Sequence, residues 1–194
     1  VDVLLSTQSE VLNGKRVGLI THRAAIGVGG HPTMTLLSFD PRIRLVALFA
    51  PEHGLSGALP AGAVVPSTGG QVPIYSLYSE TKRPTAEMLN GIDALVFDLQ
   101  DVGARAYTYI STMALAMQAC GEAGIRFVVL DRPNPVGARD REGTVLRAGY
   151  ESFVGLYPIP LRHGLTAGEL ARVLVAEMGI RCELEVVPCR GWRR

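Results

Sequence analysis

Cysteine is scarce in this chain, lysine is scarcer, and the glycine fingerprints of nucleotide sites are missing. Cys120, Cys182 and Cys189 are odd in number and show no C-x-x-C spacing, so neither a disulfide framework nor a zinc site is encoded. They read as small buried hydrophobes, with a Cys182–Cys189 bridge as the alternative in an oxidising compartment. Lys15 and Lys82 are the lysines among 19 basic residues, and arginine, which makes up the rest, is the better fork for a carboxylate. Against 18 acidic residues the formal charge is +1. No Lys/Arg stripe is present, which speaks against a nucleic-acid partner. No apolar run is long enough to form a transmembrane segment, and the opening VDVLLSTQ has neither a charged n-region nor an apolar h-region, so the expectation is a cytosolic protein or one whose leader has been removed.

Familiar catalytic signatures fail on spacing. GVGG at 27–30 lacks both G-x-G-x-x-G and the G-K-[ST] of a phosphate loop. GLSG at 54–57 is one residue short of the nucleophile elbow, which makes Ser56 a poor hydrolase nucleophile. His22, His31, His53 and His163 show no H-x-x-x-H or H-x-H spacing. The sequence calls for no cofactor and encodes no metal site.

What is present is a βα alternation in 194 residues that are 47% hydrophobic, enough for one α/β domain with a sizeable core. Periodicity predicts a helix over 3–12, strands near 17–22, 44–50, 73–78, 94–99, 126–131 and 182–189, and helices over 32–38, from Pro84 at N1, and over 107–123. Thr166 and Glu169 form an [ST]-x-x-E capping box ahead of AGELARVLVAEMG. The stretch 51–71 reads as a long functional or mobile loop, and 133–160 as irregular surface structure. No repeat or low-complexity tract interrupts the unit.

Four of the apolar runs stop at a polar cluster. The first ends at His22, the second at Glu52 and His53, the fourth at Asp98, Gln100, Asp101 and Arg105, and the fifth at Asp131, Arg132 and Asn134. In a parallel α/β sheet with helices on both faces the carboxyl ends of the strands share one edge, so these clusters converge there. Glu52, walled by Phe49 and Leu55, is expected to have its carboxyl raised by desolvation and to act as a general acid. Asp98, inside its strand, is expected to orient Arg105 or to accept backbone N–H groups. Asp101, expected farther out, is the better reactive group. Tyr107 and Tyr109 offer an aromatic platform for a sugar ring or simply pack. His163, ahead of a helix, is either a ligand contact or a scaffold residue.

PEHG, the block PIYSLYSETKRPTAEMLNGIDALVFDLQDVGARAYTYISTMALAM, VLDRPNP, ESFVGLYPIPLRHGLTAGELA and PCRGWRR resemble the exo-β-N-acetylmuramidase family of bacterial peptidoglycan recycling, from about Val3 to Arg194. The resemblance implies a Rossmann-like N-terminal catalytic domain over 1–194, with a C-terminal substrate-binding domain absent from the chain. It also implies release of terminal N-acetylmuramic acid from the non-reducing end of peptidoglycan fragments, and export to the periplasm or the cell exterior. Glu52 matches the family's proposed catalytic glutamate, accompanied by His53, and Asp101, Arg105, Asp131, Asn134 and His163 fall in blocks lining the same cleft. Where relatives often read T-N-x-[ST]-G, this chain has THRAAIG, so His22 replaces an amide.

The expected chemistry follows. Glu52 protonates the glycosidic oxygen, while Asp101 stabilises the oxocarbenium-like state or activates water. Arg105 or Arg132 holds the lactyl carboxylate that distinguishes muramic acid from glucosamine. A substrate-assisted route through the 2-acetamido group is the alternative mechanism. A muropeptide-binding module, inactive without its C-terminal half, is the alternative function, and a nucleotide enzyme is a third reading that the missing glycines disfavour. A surface left uncovered by the absent domain would favour a homodimer.

Overall fold

A computed structural model describes residues 1–69 and 72–193. Gly70 and Gln71, at the end of the predicted 51–71 loop, and Arg194, the last residue of PCRGWRR, lie outside the described residues. Six strands form one parallel sheet: β1 (Arg16–Thr21), β2 (Arg44–Ala50), β3 (Ile74–Ser76), β4 (Ala94–Asp98), β5 (Arg126–Leu130) and a last strand, β8 (Leu184–Val187). Their order is β3-β2-β1-β4-β5-β8. The chain therefore winds outward from β1 to one edge, returns to β4, and winds to the other edge. The crevice at that reversal, beyond the ends of β1 and β4, is where this Rossmann-like winding leaves room for a ligand.

Helices cover both faces, as the continuous apolar strands require. Leu4 of α1 (Asp2–Thr7) and Leu37 of α2 (Thr33–Phe39) pack with Val17, Leu19, Val96 and Val128 on one side. Leu89 of α3 (Ala86–Leu89), Met113 and Met117 of α4 (Tyr109–Ala123), and Leu170 and Leu174 of α5 (Ala167–Ala176) pack with Ile20, Phe49, Phe97 and Phe127 on the other. The central helix α4 is buried on nearly every side, which its alanines permit, and it ends at Gly124 in the left-handed conformation (φ 67°). The Thr166–Glu169 capping box is formed at the start of α5.

Several expectations need correction. The first helix stops at Thr7 and gives way to a 3-10 turn over Ser9–Val11. The third begins at Ala86 with Thr85 as its cap, so Pro84 lies outside rather than at N1. Tyr107 precedes α4, whose cap is Thr108. The supposedly irregular 133–160 stretch contributes β6 (Glu142–Val145), which pairs antiparallel with β7 (Pro160–Arg162) in a separate two-stranded sheet. β6 is exposed at every position and therefore has no buried face to give a periodic signal. A Cys182–Cys189 bridge is excluded, because the extended strand β8 lies between the two residues and spans roughly 10 Å by itself. All three cysteines are free. No helix among the described residues is long and apolar enough to cross a membrane.

Among the described glycines, the closest backbone approach is at Gly121 in α4, where a Cβ would lie 1.7 Å from the Arg181 carbonyl oxygen. Helix propensity favours alanine over glycine by about 1 kcal/mol, yet backbone cannot yield as a side chain can. Gly121→Ala is expected to destabilise the fold by about 2 kcal/mol or more, a fall in Tm of roughly 4–8 °C by calorimetry.

Candidate active site

The loops leaving β1 and β2 and the residues leading into α4 enclose an open cleft of about 300 Å³, lined by His22, Arg23, Ala24, His53, Gly57, Tyr107 and Tyr109. His22 is fixed by its own loop: its Nδ1 accepts from the Ala24 amide at 2.9 Å, so its proton sits on Nε2. Burial, the largest influence, lowers the pKa of this ring. The Tyr109 ring lies 5.2 Å from it and 4.6 Å from the Tyr107 ring. His53 has the left-handed φ of 72°, uncommon for a residue with a side chain, and its Nδ1 lies 2.7 Å from the Leu59 carbonyl. A carbonyl only accepts, so Nδ1 carries the proton there and Nε2 is left open.

Glu52 lies directly behind this wall and is only 6% exposed. Its Oε1 accepts from the Gly62 amide at 2.8 Å, and its Oε2 from the Thr108 hydroxyl at 2.6 Å. Thr108 caps α4 in position but makes no capping bond, since its hydroxyl is turned to Glu52. Burial pushes the Glu52 carboxyl up, but hydrogen bonds from Thr108, Gly62 and Tyr78, with His53 nearby, outweigh it and leave the group below its ordinary value. The expected upward shift is thus reversed. Desolvation is present, but the donors that accompany it favour the ionised form. The Tyr107 phenol is raised by burial, with Tyr109 opposing, and it feels the negative charge of both Asp101 and Glu52. The two carboxylates therefore act on one neighbourhood.

Asp101 does not sit farther out, since it is 4% exposed. Its Oδ2 accepts from the Gly103 amide at 2.8 Å and lies 3.2 Å from Nε2 of His163, itself 1% exposed. That approach is not aligned for a hydrogen bond, and Asp101 Oδ1 has no hydrogen-bond partner. Asn134 belongs to the same buried knot. Its Nδ2 donates to the Leu165 carbonyl and its Oδ1 accepts from the Val136 amide.

The remaining predicted residues are held away from the cleft. Asp98 orients Arg132, not Arg105: the Arg132 Nε donates to Oδ1 at 2.6 Å and Nη2 to Oδ2 at 3.1 Å, with the Thr33 hydroxyl on Oδ2 as well. Asp131 accepts from Thr166 and from the Gly168 amide, both at 2.8 Å, at the start of α5, and burial raises its carboxyl. Arg132 and Asp131 border a different depression, near Val1 and Arg190. Arg105 Nη1 donates to the carbonyls of Thr144 and Ile159, so it serves as a strut under the β6–β7 hairpin. Among the described residues no three His, Cys, Asp or Glu side chains converge as a metal site would require.

Residues 17–194 match the family model described as exo-β-N-acetylmuramidase NamZ, N-terminal. The chain belongs to this family. It is 51% identical to the peptidoglycan β-N-acetylmuramidase NamZ of Bacillus subtilis strain 168, over all of its own length and 48% of that protein. Two crystal structures of DUF1343 family proteins from Bacteroides fragilis NCTC 9343 share the fold. One has a TM-score of 0.90 and 47% identity, covering 100% of this chain and 50% of that one. The other has a TM-score of 0.81 and 33% identity, covering 98% and 52% respectively. The chain thus spans about half the length of the relatives it matches, as an N-terminal domain of the NamZ family.

Sequence reasoning missed Arg23, Thr108, Tyr78 and the Gly62 amide. Thr108 stands between Tyr107 and Tyr109, and a hydroxyl wedged between two tyrosines was the available signal for it. Nothing in the sequence marked Gly62. Because Glu52 binds its proton less tightly when folded, its ionised form favours the fold above the unfolded-chain value, and that contribution is lost as pH falls through the lower folded value. Thr108→Val removes one donor and is expected to move the Glu52 titration upward, read by carbon-13 NMR of the labelled carboxyl. An unchanged titration would show that Thr108 does not hold the group.

Proposed function

We propose that this domain supplies the catalytic carboxyl of an exo-acting β-N-acetylmuramidase, with Glu52 at the glycosidic oxygen of a terminal N-acetylmuramic acid residue of peptidoglycan. The observation that carries the reading is a buried glutamate, at the end of β2 and beside the switch-point crevice, backed by hydroxyl and amide donors and walled by two tyrosines. Family membership gives the reaction class, and the named activity of the Bacillus subtilis relative supports the substrate. Because peptidoglycan is assembled outside the cytoplasmic membrane, the proposed place of action is the periplasm or the cell exterior.

The balance on Glu52 explains how an ionised carboxylate becomes an acid. Burial is the largest influence and raises its proton affinity, and several hydrogen bonds together reverse it. A sugar that engages Tyr78, or shifts the loop carrying Gly62, removes a donor while excluding water, and both changes lift the carboxyl toward its acid form. Asp101 is the second carboxylate: buried, with Oδ2 fixed by the Gly103 amide and Oδ1 unpartnered, it opposes developing positive charge from behind the Tyr107 wall. A binding module is the second reading, favoured by the coverage of only half the relatives' length.

The test is release of a chromogenic leaving group from β-N-acetylmuramoyl and β-N-acetylglucosaminyl substrates by this chain and by a version extended to the relatives' length. Muramoyl-selective turnover that falls about 100-fold or more in Glu52→Gln is expected, with the alkaline limb of kcat, where Glu52 loses its proton, lying at higher pH than that of kcat/KM. Sugar binding with no turnover in either form would establish the binding module instead.

A further inference from the structure

We infer that Arg23 is the specificity-determining residue of the cleft, taking a carboxylate carried by the bound sugar. The inference rests on the sugar-binding reading given above. Arg23, Arg105 and Arg132 follow the ends of β1, β4 and β5, and the structure separates them. Arg132 is locked onto Asp98, and Arg105 is locked onto two main-chain carbonyls. Arg23 is exposed, lines the cleft, and has no ion pair or side-chain hydrogen bond among the described residues.

Its backbone is nevertheless fixed. The Arg23 amide donates to the Leu55 carbonyl at 2.8 Å, and the next two amides, of Ala24 and Ala25, donate to the His22 ring and the His22 carbonyl. This ties the β1 loop to the β2 loop across the cleft. The side chain runs over Gly57, where a Cβ would come into ordinary contact with it, 3.7 Å from Nε. His22 lies beside it on the same wall, with its Nε2 proton as a second, uncharged donor. No carboxylate lines this cleft, so an anion arriving there meets a guanidinium fork and an N–H with no fixed negative charge among the wall residues. Glu52, behind the wall, carries the opposite sign. The two charges would therefore orient an anionic sugar, with its carboxylate at Arg23 and its uncharged glycosidic oxygen toward Glu52.

The probes are N-acetylmuramic acid, its lactyl methyl ester, and N-acetylglucosamine, titrated into this chain and its Arg23→Gln and Arg23→Lys variants by NMR. The unmodified chain is expected to bind the acid about tenfold more tightly than the ester. Arg23→Gln should bring the two within about twofold without weakening the ester, and Arg23→Lys should recover part of the preference, as a point charge without the fork. Added salt should weaken the acid and leave the ester unchanged. An acid preference that survives Arg23→Gln overturns the inference while the sugar-binding reading stands. Equal binding of acid, ester and N-acetylglucosamine by the unmodified chain does the same. Binding of none of the three overturns both.

Discussion

The buried carboxylate of Asp98 is the joint of this molecule. It is wholly inaccessible, ends the strand at the centre of the sheet, and grips Arg132 just beyond β5 and Thr33 at the start of α2. A charge removed from water is tolerable only when it is paired and its lone pairs are filled. The loops after β1, β4 and β5 are therefore held in one arrangement. Every distance in the cleft depends on that arrangement, since Thr21 pairs with Asp98 across the two strands that flank the switch point, and His22 follows immediately.

Around that joint the polar residues sort by what they hold. Asp131 holds the start of α5, Arg105 holds the small hairpin, and Asn134 and His163 hold the loops around Asp101. Arg23, His22, His53, Tyr107 and Tyr109 line the cleft beside Glu52. Most of the polar clusters at the strand ends are thus architecture, and the architecture is what lets a few side chains stand free with fixed backbones. The His53 backbone, in the left-handed region, fits this pattern: a strained conformation costs of order 1–3 kcal/mol and persists only where its surroundings impose it.

Much of this was legible before the structure. The apolar runs located all six strands of the main sheet, the capping box located α5, and the polar residues that ended four of those runs marked the edge where the cleft lies. What was not legible has a common cause. The proton affinity of Glu52 depends on Gly62, ten residues away, and Thr108, 56 residues away, and burial by itself pointed in the wrong direction. As charges alone, Arg105 and Arg132, which the sequence put forward, do not differ from Arg23, which it passed over. Only their partners, 34 to 54 residues distant, distinguish a strut and a clamp from a free fork. Pattern finds what is apolar and periodic, but it does not say which donor meets which acceptor.

The two imidazoles of the cleft have a further consequence. The main chain gives them opposite tautomers, because His22 accepts at Nδ1 and His53 donates there. In their neutral forms, then, one ring offers a proton from Nε2 and the other offers a lone pair. A hydroxyl suits either, being both donor and acceptor, but a carbonyl fits only beside His22 and an amide N–H only beside His53. The pocket thus has a grammatical direction. A guest with one carbonyl and one N–H can be read one way round, and turned end for end it sets donor against donor and acceptor against acceptor.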